Sequence, residues 1–92
     1  MVETGPFGRG GGQVLRVRMT FSGRLGPAFS AYVLNRADRL SLKLDIHCTD
    51  TEATLLIEGQ DAMIGALEMA ACIGPETCDV THWNCVELTN SP

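Results

Sequence analysis

The sequence predicts an α+β fold of the ferredoxin-like kind, a four-stranded antiparallel sheet carrying two helices on one face. Three observations carry this expectation. Alternating or continuous apolar patterning marks four strands, helical spacing marks two further segments, and the order is strand, helix, strand, strand, helix, strand. A chain of 92 residues suits one domain with one core.

The first segment stands apart from that pattern. Residues Thr4 to Gln13 contain five glycines, one proline and a single large apolar residue, Phe7. That is too little apolar surface to offset the entropy of ordering. We expect residues 1–13 to be a flexible Gly-rich arm and residues 14–92 to form the domain. The Gly10-Gly11-Gly12 run precedes a strand and lacks a Lys-Ser/Thr ending, so it does not read as a phosphate-binding loop.

The first strand follows. Leu15, Val17, Met19 and Phe21 alternate with Arg16, Arg18 and Thr20, as one buried face requires. Gly26-Pro27 supplies a turn, with Pro suited to a first helical position. Phe29, Val33, Ala37 and Leu40 then recur at helical spacing while Asn35, Arg36, Asp38 and Arg39 lie off the stripe. Period two returns with Leu42, Leu44, Ile46 and Cys48, and again with Ala53, Leu55 and Ile57 after a polar link. These two strands predict a hairpin. Asp61 is placed to cap a helix over 62–73, which Gly74-Pro75 ends. A last apolar segment from about Cys78 to Leu88 predicts the fourth strand.

Composition narrows the function classes. Charged residues make up 20% of the chain, hydrophobic ones 45%, and the net charge is −4, ordinary values for a soluble globular protein. An acidic balance repels phosphate backbones, so nucleic acid is not an expected partner. No stretch approaches the roughly 20 apolar residues of a membrane span. Met1-Val2-Glu3-Thr4 lacks the basic and apolar regions of a signal peptide. We expect a cytoplasmic protein with no membrane partner, in which the four cysteines remain thiols.

Metal and redox readings are weak. Cys78-x3-His82-x2-Cys85, with Cys72 and Cys48, offers zinc-type ligands, but Cys78 and Cys85 have opposite parity on a strand and project to opposite faces. No Cys-x-x-Cys is present, and adjacent His47 and Cys48 point apart. We expect no metal and no cofactor. Exposed central-strand aromatics for stacking RNA bases are missing as well.

Two surface features stay open. Arg16, Arg18, Lys43 and His47 share one sheet face and form either an anion site or a solvated face balanced by Asp45 and Glu58. The helix over 62–73 carries Met63, Ile64, Leu67, Met69, Cys72 and Ile73 around its circumference, with Glu68 its one charged residue. Such a helix needs a second covered surface, as in a homodimer or a complex with a protein partner, unless Gly65, Ala66, Ala70 and Ala71 form a harmless outer face.

Phe21-Ser22-Gly23-Arg24, Phe29, Ala37, Leu40, Leu42, Asp50 and Glu58-Gly59 fall in an order that resembles the acylphosphatase family, given two single-residue deletions. The resemblance implies the same ferredoxin-like fold. It also implies hydrolysis of carboxyl–phosphate anhydrides, with a small phosphorylated molecule or anion as partner and no cofactor. In that family the loop after the first strand cradles a phosphate with backbone N–H groups, an Arg pairs with the phosphoryl oxygens and an Asn orients the attacking water. Charge neutralisation and positioning supply most of such catalysis. By this alignment the phosphate-binding residues are Arg24, Leu25, Gly26, Ala28 and Phe29, Ser30 stands at the Arg position and His47 at the Asn position. Serine cannot supply a charged, bidentate fork, and Pro27 removes one N–H from the cradle. Imidazole can still hold a water. The resemblance thus leaves two expectations, a divergent acyl phosphate hydrolase or a noncatalytic small-ligand or protein-interaction module of the same fold.

Overall fold

The computed structural model describes residues 14–88; the Gly-rich arm over 1–13 lies outside the described residues. Six elements follow one another: β1 (Val14–Arg24), α1 (Pro27–Arg39), β2 (Lys43–Cys48), β3 (Glu52–Gln60), α2 (Asp61–Ile73) and β4 (Asp79–Glu87). The sheet order is β2-β3-β1-β4 and each neighbouring pair is antiparallel. This is the expected ferredoxin-like fold.

Strand alternation builds the core. Val17, Met19 and Phe21 of β1 lie in register with Ile57, Leu55 and Ala53 of β3, and all six are buried. Phe29, Val33 and Ala37 close this face from α1, and Ile64, Leu67 and Ala71 close it from α2. The Phe21 and Phe29 rings meet at 5.4 Å between centroids, tilted by 57°, a favourable aromatic arrangement. Tyr32 of α1 donates its hydroxyl to the Ala70 carbonyl of α2 at 3.2 Å and accepts the Arg36 guanidinium over its ring. The two helices are thereby coupled directly.

Details at the element ends differ from expectation in one place. Asp61 is the first residue of α2, and Gln60 takes the N-cap position with extended backbone. β3 runs straight into the helix, so the cap falls on the last strand residue. The Asp61 carboxylate instead complements the positive end of the helix from its first turn. Pro27 does open α1. Gly74 has φ +66° and its N–H reaches the Ala70 carbonyl at 2.9 Å, closing α2.

Among the described residues the opposite sheet face carries no helix. Arg16, Glu58 and Lys43 form one row across β1, β3 and β2, and Thr20, Thr54 and His47 form another. Among the described residues no helix is long and apolar enough to cross a membrane.

Candidate functional site

The loop from β1 to α1 is built against the β2–β3 turn. The N–H groups of Gly23, Leu25 and Gly26 donate to the carbonyls of Thr51 (3.0 Å), Asp50 (2.7 Å) and Thr49 (3.1 Å). Thr49 shapes that turn, because its Oγ1 accepts the N–H groups of Glu52 at 3.0 Å and Thr51 at 3.3 Å. The loop carbonyls are engaged too. The Cys48 thiol donates to the Gly26 carbonyl at 3.5 Å and the buried Cys78 thiol donates to the Leu25 carbonyl at 3.4 Å. The N–H and carbonyl groups of Leu25 and Gly26 are therefore all engaged by backbone or thiol.

A groove of about 470 Å³ runs along the outer edge of β2, lined by Gly26, Pro27, Ser30, Ile46, His47, Cys48, Thr49 and Asp50. Ser30 and His47, the two positions singled out from the sequence, share this groove. They reach it from different sides. His47 alternates with the core-facing Ile46 and Cys48 and so belongs to the open sheet face with Thr54, whereas Ser30 sits in the first turn of α1. Among the described residues neither side chain hydrogen-bonds the other.

Other expected site residues fall elsewhere. Arg24 leaves the groove and pairs with Asp79 of β4, Nη2 to Oδ2 at 2.7 Å, with both side chains about two-thirds exposed (71% and 67%). The Leu25 and Phe29 side chains are buried in the core. The Phe29 N–H already bonds the Gly26 carbonyl at 3.1 Å, as does that of Ser30 at 3.3 Å. Ala28 is exposed at the start of α1, where an N–H has no intrahelical acceptor.

Asp50 sets the electrostatics. Its Oδ1 lies 3.4 Å from where a Cβ on Gly26 would project, and Gly26 at φ +82° is the N-cap of α1. A carboxylate thus sits where the positive end of the helix would otherwise draw a free anion. Burial pushes the Cys48 thiol above its ordinary pKa, and the neighbouring Cys78 and Asp50 push it the same way. The Cys48 thiol is half-buried, and the shift favours its protonated form.

Asp79, Thr49 and the two thiols were not singled out for this loop from the sequence. Asp79 is 55 residues from Arg24, and no local pattern links them. Cys78 projects to the loop and Cys85 is exposed on β4. Among the described residues no three His, Cys, Asp or Glu side chains come together as a metal site.

Comparison with solved structures gives a consistent picture of the fold. An acylphosphatase from Coxiella burnetii superposes with a TM-score of 0.77 at 20% identity, covering 88% of this chain and 87% of that one. Crystalline acylphosphatase from Bacillus subtilis gives 0.75 at 22% identity over 87% of this chain and 89% of that one. Full-length HypF in its phosphate- and nucleotide-bound form gives 0.75 at 18% identity, covering 83% of this chain but 10% of that much longer protein. No protein-family model matches the sequence, and no curated protein matches it.

Proposed function

From an acylphosphatase-like fold whose groove carries a carboxylate and no permanent cation, we propose that this domain acts by binding and not by hydrolysing acyl phosphates. The observation that carries the reading is the position of charge. Arg24 is engaged with Asp79 outside the groove, while Asp50 lies beside Gly26 within it. Phosphoryl transfer depends on positive groups around the phosphoryl oxygens. Here Ser30 contributes a short neutral hydroxyl, and the Gly26 N–H is already bonded to Thr49. A ligand suited to this groove is small, neutral or cationic, and able to bond the Ser30 hydroxyl and the Asp50 carboxylate.

The reading is tested by titrating the protein with inorganic phosphate and following residue-resolved NMR shifts. No saturable shift is expected over residues 26–30 and 46–50. Saturating shifts at Ser30 and His47 would overturn it.

One observation favours a second reading. Ser30 and His47 line the same groove, which supports a divergent acyl phosphate hydrolase with His47 holding the attacking water. That reading requires metal-independent phosphate release that disappears in His47→Ala.

A further inference from the structure

The two edges of the sheet are treated differently. β2 is six residues long and presents Lys43 and Asp45, charges that guard an edge against pairing. β4 is nine residues long, and between Asp79 and Glu87 it holds no Asp, Glu, Lys, Arg or Pro. Its register with β1 is continuous from His82 to Glu87. The Leu88 N–H donates to the Arg16 carbonyl at 2.8 Å, so by antiparallel alternation the main-chain groups of even-numbered residues face β1. Those of Trp83, Cys85 and Glu87 face outward. Among the described residues nothing pairs with them.

Beside this bare edge lies an apolar groove of about 340 Å³, formed by Glu68, Met69, Cys72 and Ile73 of α2 and by Trp83. Met69, Ile73 and Trp83 are 71%, 75% and 52% exposed. Trp83 and Cys85 lie in register with Phe21 and Met19, which puts them on the helix-bearing face with the groove. The Cys72 and Cys85 thiols are both pushed above their ordinary pKa by burial and, secondarily, by Glu68. Helix and strand thus form one continuous surface.

We infer that this surface is the interface of a symmetric homodimer in which β4 of one copy pairs antiparallel with β4 of the other. A strand edge flanked by an apolar groove selects an extended chain whose alternate side chains are apolar. β4 is itself extended and carries Trp83 and Cys85 on its groove side, so each copy offers what the other's edge and groove accept, and a two-fold axis closes the assembly. Charge permits this register. An axis beside Asn84 pairs Trp83 with Cys85 of the other copy and keeps Asp79 and Glu87 from facing one another.

Sedimentation equilibrium of the full chain across micromolar concentrations tests the inference. Wild type should sediment at twice the 9.9 kDa chain mass. Cys85→Pro removes an N–H that faces away from β1, a position where an edge strand tolerates proline, and should give a folded monomer. Ile73→Glu, on the exposed side of α2, should weaken dimerisation at least about tenfold, or 1.4 kcal/mol. A wild-type chain that is monomeric throughout overturns the inference. So does a dimer that persists in both variants, since its interface then lies elsewhere. A monomer whose Trp83 fluorescence changes on deleting residues 1–13 also overturns it and assigns the groove to the arm.

Discussion

Arg24 Nη2 donates to Asp79 Oδ2 at 2.7 Å across the β1–β4 ladder, so the one cationic side chain of the 24–29 loop is held against the edge strand. The pair is exposed, and exposed ion pairs contribute little. Its significance is directional, because it turns the guanidinium away from Ser30 and His47.

Asp79→Asn should therefore change unfolding free energy by less than about 1 kcal/mol, as measured by urea denaturation. It should not create a phosphate site, since Ser30 and Asp50 remain in place. A saturable phosphate response in this variant would mean that Arg24 alone supplies the missing charge.

Ser30→Arg tests the same deficit from the other side. A guanidinium in the first turn of α1 returns a charged fork to the groove. Phosphate affinity should rise at least about tenfold over wild type, and Asp50→Asn added to it should raise affinity further. NMR titration reads both, with responses expected at Gly26 and His47.

Two packing variants test the scaffold. Phe29 is fully buried against Phe21, and Phe29→Ala should cost about 3–5 kcal/mol. Gly23 has φ +145°, and a Cβ there would overlap the Asp79 carbonyl oxygen. Gly23→Ala should accordingly break the end of the β1–β4 ladder, seen as lost amide protection from Gly23 to Arg24 and at Val80.

Thiol chemistry gives a pH dependence. The pKa of Cys48 is raised above 9.0, first by burial, so the folded state favours the protonated thiol. Its contribution to stability is fully present below about pH 9.0 and is lost as pH rises through the higher folded value. Alkylation of Cys48 in the native protein should be slower than in the urea-unfolded chain at pH 8, and Cys72 and Cys85 should show the same direction.

Much of the architecture was legible because it rests on short periods. Leu15 to Phe21 and Leu42 to Cys48 alternate cleanly, since each strand has one covered face, and the Phe29, Val33, Ala37 stripe marks the covered side of α1. β4 was harder to bound, because an edge strand with nearly all its residues exposed carries little alternation. Ser30 and His47 could be placed by resemblance, and the structure does bring them to one groove. That they approach from opposite sides of the β2 edge depends on three-dimensional packing. The Arg24–Asp79 pair and the Cys78 contact with Leu25 join residues more than fifty positions apart, beyond any local pattern.

Phosphate release from benzoyl phosphate should be measured without metal for wild type and His47→Ala, against buffer alone. The account predicts that all three rates coincide. Release by wild type that clearly exceeds buffer and falls to it in His47→Ala would contradict the account.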